Sequence, residues 1–252
     1  QIELNTEVTF EVGDTVNHPI FKNGVIKEVN IDNHQYLVHF TEMDITEWEN
    51  RDGAYVIANF YDFFMKEKEG LFFDPKYREI LYSGKGDTLF LLPVIILEDK
   101  QFAPISSKLF SFINEARANG AKCREFFLPT IYGPWQTDLF SFQQILLNKT
   151  EEISDREWTY DAIYVDDAVE AVIKFMECEE ERILLKNETG NRWAEWVNMI
   201  KGNNNLTDLN KIGRTESSFY PAVEKFVKEK LSLNEAIERQ RKHNELRARF
   251  KL

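Results

Sequence analysis

Cysteine and long hydrophobic runs are both scarce in this chain. Its two cysteines, Cys123 and Cys178, lie far apart, which excludes a disulfide framework and a metal-binding cysteine cluster. The four histidines likewise show no ligand spacing, so we predict no metal site. No run of about 18 or more apolar residues occurs, so we predict no membrane-spanning helix. So few cysteines are typical of a reducing compartment, and we predict a cytoplasmic protein.

The chain also lacks a glycine-rich turn of the kind that binds a dinucleotide. The 252 residues include eleven glycines. They never form the Gly-x-x-Gly-x-x-Gly turn with which dinucleotide sites bring the backbone close to a pyrophosphate. The nearest approach, Ser83-Gly84-Lys85-Gly86, has only two glycines. We therefore expect no cofactor, and NAD(P) only if the site has been rearranged.

Negative charge dominates the chain except at its end. The formal net charge is −12 at pH 7, which disfavours nucleic-acid binding by the surface as a whole. Residues 223–252, however, hold nine Lys or Arg against five Glu. We predict a basic helical tail here, with a helix that runs from Pro221 and has a break and a second cap near Ser232.

Residues 1–50 are predicted to form a small β module. Turn signals separate two runs rich in β-branched and aromatic residues, Val25–Val29 and Tyr36–Phe40. The phrase from Val12 to Ile26 resembles the opening of small SH3-like or Tudor-like barrels. The alternative is that residues 1–50 are the trimmed first strands of a Rossmann sheet, in which Val38–Thr46 resembles the third strand.

Residues 51–222 alternate between strand-like and helix-like patterns. Apolar residues at helical spacing over Ser107–Gly120 predict an amphipathic helix with one buried side. The residues on that side are Leu109, Phe110, Phe112, Ile113 and Ala116. Cys123–Leu128 has the apolar run of a buried strand, and Asp138–Asn148 and Asp166–Cys178 are predicted helices. This alternation indicates an α/β protein with a parallel sheet.

Three segments carry a family resemblance. APISSK at Ala103–Lys108, IYGPWQ at Ile131–Gln136 and IYVDDAVEA at Ile163–Ala171 occur in the order found in the extended short-chain dehydrogenase/reductases. Within that family the segments resemble the NAD-dependent nucleotide-sugar epimerases and dehydratases. The resemblance implies a Rossmann-like parallel sheet, here partial or degenerate, in an epimerase-like domain over residues 51–222.

The resemblance also implies a catalytic Ser, Tyr and Lys, of which the chain keeps two. Ser83 falls where the family's serine hydrogen-bonds the reacting oxygen. Lys108 matches the lysine of the Tyr-x-x-x-Lys pair, which lowers the tyrosine pKa and holds the nicotinamide ribose. Pro104 occupies the tyrosine position, and proline has no proton to transfer. We therefore expect the usual proton transfer to be lost.

The substrate side of the resemblance is more complete. Tyr132, Gly133, Pro134 and Trp135 match the family loop where the nicotinamide meets the sugar, and Pro129 lies on its cofactor side. These four loop residues are therefore predicted to bind the substrate.

Two arginines that the family uses near the diphosphate are replaced in this chain. Tyr160 stands in for one and Leu128 for the other. An Arg neutralises a diphosphate through paired hydrogen bonds that other residues form poorly. Either Arg156 or Arg192 is predicted to substitute, and Arg192 and Tyr160 complete the predicted substrate site.

Three hypotheses for the function follow. The first is a degenerate, non-catalytic relative of the nucleotide-sugar epimerases that binds a nucleotide-type ligand, such as a nucleotide-sugar, or a protein partner. The second is an active NAD(P)-dependent epimerase, dehydratase or reductase with a rearranged site, in which Ser83 and Lys108 act with a tyrosine such as Tyr132. The third is an interaction module that binds nucleic acid or protein through the N-terminal module and the basic tail. Family members are often dimers through a helical face, which implies a possible homodimer.

Overall fold

The computed structural model describes residues 15–18, 22–30, 35–40, 56–75, 78, 87–149, 153–201 and 222–250. The chain forms two compact units, residues 1–49 with 249–252 and residues 50–248. The described part of the first unit contains an antiparallel sheet, and that of the second contains parallel sheets.

The sheet of the first unit has three described strands, β1 (Thr15–His18), β2 (Lys22–Asn30) and β3 (Gln35–Phe40), in the order β1-β2-β3. The pairing of β2 with β3 shifts register between Ile26 and Glu28, as at a β-bulge. β3 pairs with β2 in antiparallel fashion. The SH3-like barrel and the alternative of trimmed first Rossmann strands both stay predictions.

Strands of the second unit build its core sheet. Those described are β4 (Val56–Asn59), β5 (Asp87–Pro93), β6 (Lys122–Leu128), β7 (Thr130–Tyr132), β8 (Ala162–Tyr164), β9 (Arg182–Asn187) and β10 (Val223–Val227). Five of them form one parallel sheet in the order β10-β9-β6-β5-β4, and β7 pairs in parallel with β8. The predicted fold class, a Rossmann-like α/β protein with a parallel sheet, is confirmed.

Helices connect and flank these strands. Those described are α1 (Phe60–Met65), α2 (Glu69–Phe72), α3 (Ile95–Glu98), α4 (Ala103–Ala118), α5 (Ser141–Leu146), α6 (Val165–Phe175), α7 (Arg192–Lys201) and α8 (Leu233–Phe250). Among the described residues, no helix combines the length and the apolar character needed to cross a membrane.

Helix α4 confirms the predicted amphipathic pattern. All five residues predicted to face the core are buried. The helix begins four residues before the predicted start, because Pro104 lies in its first turn, where a fixed φ and a missing N–H cost nothing. Gly120 follows the helix with φ +94°, the left-handed conformation that often ends helices.

The core of the parallel sheet is rich in aromatic residues. Phe90 of β5 and Phe126 and Phe127 of β6 are fully buried, as expected of strands covered on both faces. The aromatic-rich stretch 56–75 packs into this core as well, where Phe60 and Phe64 are fully buried.

The segment predicted as a tail is part of the second unit through residue 248. The prediction of a helix from Pro221 is wrong for Val223–Val227, which forms β10 and pairs with β9. The predicted second cap is present: Ser232 Oγ accepts from the N–H of Glu235, and the Glu235 carboxylate accepts from Ser232 N–H at 2.9 Å. This reciprocal capping box starts α8.

Candidate ligand site at the carboxyl ends of the strands

Ligands of open parallel sheets bind beyond the carboxyl ends of the strands, where the strand order reverses. The five strands described here run in simple chain order across the sheet, so that part of the molecule contains no such reversal. The glycine turn is absent from the sequence as well. The described strands and the sequence therefore show neither of these two features of a dinucleotide site.

The segment around Lys108 is exposed and lacks a proton donor at the tyrosine position. Lys108 lies on the open side of α4, with its Nζ 4.2 Å from the centre of the Phe73 ring. Pro104 is exposed one turn earlier. Within the described residues, no hydrogen bond joins Lys108 to a tyrosine hydroxyl.

Ser83 lies outside the described residues. The strand that directly precedes α4 is β5, which begins after Ser83 and ends at Pro93. The carboxyl end of that strand is Pro93, and the predicted role of Ser83 stays a prediction.

Tyr132 is part of the hydrophobic core. It is 1% exposed, and its ring packs edge-on against Phe142 and Tyr164. Its hydroxyl donates to the Glu229 carboxylate at 3.5 Å. Burial and the negative charge of Glu229 both raise the pKa of Tyr132. A phenol in this environment is poorly suited to giving up a proton near neutral pH.

Steric contacts with neighbouring side chains require a glycine at position 133. Its φ is +127°, and a Cβ at this position would lie 2.9 Å from the side chains of both Tyr164 and Val165. Any larger residue would therefore be strained and would clash. The half-buried Pro134 continues the same turn.

Trp135 differs from its neighbours because it points into solvent. Its exposed fraction is 68%, and its backbone has the left-handed φ of +68°. The indole ring lies 4.4 Å from the ring of His243 on α8, in an edge-to-face arrangement. Burial and the charge of Arg247 lower the pKa of His243, which favours the neutral imidazole.

Pro129 is buried, and its carbonyl accepts a hydrogen bond from Tyr61 at 3.0 Å. The same Tyr61 hydroxyl accepts from the N–H of Ile131, also at 3.0 Å. One side chain on α1 therefore fixes the turn that leads into the Tyr132 loop. The sequence offers no signal for this role, since Tyr61 lies 68 residues from Pro129.

The two arginines predicted to neutralise a diphosphate are already paired. Arg192 forms ion pairs with Glu195 and with Glu229. Arg156 pairs with Glu69 and lies 4.6 Å above the centre of the Phe64 ring. Both guanidinium groups are largely buried. Each would have to give up internal partners to bind a phosphate.

Tyr160, at the position of a family arginine, is half-buried against Trp158, with ring centres 4.7 Å apart. Its hydroxyl is buried and has no hydrogen-bond partner among the described residues. The helix α6 begins just after this segment. Its N-cap residue is Tyr164, which forms no side-chain capping bond, and Asp166 and Asp167 lie in its first turn, where negative charge is favourable.

Glu229 and Asp161 connect the candidate site to the sheet. Glu229 accepts from the side chain of Asn187 at 2.7 Å, in addition to its bonds with Tyr132 and Arg192. Asp161 accepts from the N–H groups of Asn187 and Ala162. Burial raises the pKa of Asp161 to about 6, against the opposing effect of these hydrogen bonds. Sequence reasoning missed Glu229 because it lies 97 residues after Tyr132.

The basic residues of α8 are mostly matched by acids. Arg239 lies 3.8 Å from Asp166, and Arg247 lies 3.9 Å from Asp138. Arg241 pairs with Glu238 within the helix. The face of α8 opposite these charges is buried, with Gln240 fully enclosed and hydrogen-bonded to Gln136 and Gln143. In the described ranges, no group of His, Cys, Asp or Glu could hold a metal ion.

Comparison with known proteins gives few matches. No protein-family model and no curated protein matches the chain. It is similar in structure to the UDP-glucuronic acid 4-epimerase of Bacillus cereus in complex with UDP-glucuronic acid and NAD. The identity is 13%, the TM-score is 0.44, and the match covers 68% of this chain and 65% of that one. For the same enzyme in complex with NAD, the identity is 15% and the TM-score is 0.44, and the match covers 67% of this chain and 63% of that one. The chain therefore spans just under two thirds of the length of these epimerase chains.

Proposed function

We propose that this chain is a non-catalytic relative of the nucleotide-sugar epimerases and dehydratases, and that its α/β unit binds a nucleotide-type ligand. The observation that carries the proposal is the state of Tyr132, Arg156 and Arg192. All three are buried or paired within the protein, so the residues that resemble a substrate site act as packing. Pro104 supplies no proton in place of the family tyrosine.

Binding is assigned to Trp135, because it is the one predicted loop residue with a large exposed surface. A flat, exposed indole can stack on a nucleobase, and such aromatic contacts are worth about 1 kcal/mol. The left-handed backbone at Trp135 holds the ring beside His243 rather than against the core.

The binding test is a calorimetric titration with UDP-sugars, UMP, NAD(H) and NADP(H). We expect saturable binding of the uridine nucleotides, a loss of about fivefold or more in affinity for Trp135→Ala, and partial recovery for Trp135→Phe. Leu71→Ala is the matched control, because Leu71 is also exposed on the second unit, at 54%. No binding of any nucleotide at millimolar concentration would contradict this proposal and would direct attention to a protein partner.

A further inference from the structure

The strand β10 is the outermost described strand at its end of the parallel sheet, and no described strand covers its outer edge. Edge strands expose unpaired N–H and C=O groups, which proteins often guard with charges. Here Phe226 and Val223 are exposed instead, at 60% and 45%. Lys225 protects this edge only weakly against pairing with another strand, because its ammonium group donates a hydrogen bond to Glu180 at 2.7 Å.

The sequence of this edge is complementary to itself. Glu224 and Phe226 alternate along β10, so they lie on one face of the strand, and Lys228, the first residue after its end, continues the alternation along the chain. Glu224 also pairs with Lys186 of β9 and remains exposed. In an antiparallel pair with a second copy centred on Phe226, the two phenylalanine rings would lie opposite each other. Glu224 of each copy would then lie opposite Lys228 of the other, and such opposite charges favour cross-strand pairing.

A groove lies beside the strand. The helix α6 and the end of β10 border a space of about 360 Å³. Glu170 and Lys174, both exposed, line it on the side of α6, and Glu170 pairs with Lys230 of its own chain. A twofold axis through Phe226 would place the two α6 helices on the same face of the joined sheet and antiparallel.

We propose that β10 is the interface of a homodimer, in which two five-stranded sheets join by antiparallel pairing of their β10 strands. This surface differs from the helical face that the family resemblance implied. It does not depend on the proposed nucleotide binding. A strand of five residues buries little area, so we expect a dissociation constant in about the micromolar range.

The test measures the oligomeric state of the full chain by sedimentation velocity from about 1 to about 300 µM. Phe226→Glu is expected to weaken the dimer about tenfold or more, because it places two like charges at the twofold axis. Since Phe226 is exposed, the melting temperature should not change. The exposed Leu71→Glu is the matched control and should leave the dissociation constant unchanged.

A charge exchange tests the register. Lys228→Glu is expected to weaken the dimer about threefold at low salt, because the introduced carboxylate of each copy would then face Glu224 of the other. Adding Glu224→Lys restores opposite charges and should return the dissociation constant to within about twofold of the starting value. A protein that stays monomeric throughout, a dimer unaffected by Phe226→Glu, or a double variant no tighter than Lys228→Glu alone would each overturn the proposal.

Discussion

The two halves of the candidate site differ sharply in their surroundings. Around Lys108 the family positions are exposed, and the proton donor is replaced by Pro104. Around Tyr132 the residues that resemble a substrate site are buried or paired with Glu229 and other acids, apart from the exposed Trp135. The difference teaches that a segment resembling a catalytic motif can serve packing, because the chemistry of such a motif depends on partners that lie outside it.

The largest expected effect separates two tryptophans. Trp196 is fully buried and stacks on Phe142 with ring centres 4.0 Å apart, so Trp196→Ala should lower the free energy of unfolding by about 3–5 kcal/mol. Trp135→Ala, at an exposed position, should change it by about 0.5 kcal/mol or less. Urea denaturation measures both, and equal effects would contradict the assignment of Trp135 to the surface.

The pH dependence of the free energy of unfolding tests the buried half of the site, because Asp161 titrates there. Its pKa is raised from 3.8 to about 6 on folding, so the folded protein binds this proton more tightly than the unfolded chain. The resulting stabilisation is fully present below about pH 4 and is lost as the pH rises through about 6.

Asp161→Asn removes this titration and serves as the reference. Between pH 4 and pH 6, the wild type should lose about 2 kcal/mol of stability relative to the variant. Parallel stability curves for the two proteins, measured by urea denaturation at each pH, would show that Asp161 keeps an ordinary pKa.

Loss of Glu229 should weaken the buried half of the site and leave the exposed half intact. Glu229→Ala leaves Arg192 without its buried partner and should cost about 2 kcal/mol. Lys108→Ala is the counterpart on the exposed side, where we expect about 0.5 kcal/mol or less. Thermal denaturation compares the two variants, and a larger loss for Lys108→Ala would reverse the comparison.

The smallest loss of stability is expected at the turn that leads into the Tyr132 loop, which Tyr61 fixes. Tyr61→Phe removes both hydrogen bonds of the Tyr61 hydroxyl and leaves the Ile131 N–H without this partner. We expect a loss of about 1–1.5 kcal/mol in the free energy of unfolding. Hydrogen exchange at Ile131 should speed up in the variant, and unchanged exchange would mean that another group protects this N–H.

Local patterns in the sequence predicted the fold better than they predicted the site. The buried face of α4 and the apolar run of β6 follow from spacing within a single element. The error at Val223–Val227 has a physical cause: the segment lies beside a strongly helical sequence, and its strand forms only through pairing with β9.

The site depends on contacts between residues far apart in the chain. The bonds of Tyr132 with Glu229 and of Tyr61 with Pro129 join residues 97 and 68 positions apart. Neither pair belongs to a motif, so the chain alone gives no sign of them. The family resemblance pointed to the segment around Tyr132, but whether its groups face a ligand or the core is decided by tertiary packing.

The most direct test of the central claim is a turnover assay with NAD and a panel of UDP-sugars, followed by NMR of the sugar products. We predict no epimerised, dehydrated or oxidised sugar from the wild type, and none from Lys108→Ala. Formation of such a product by the wild type, with loss of that activity in Lys108→Ala, would contradict the account and establish a working site.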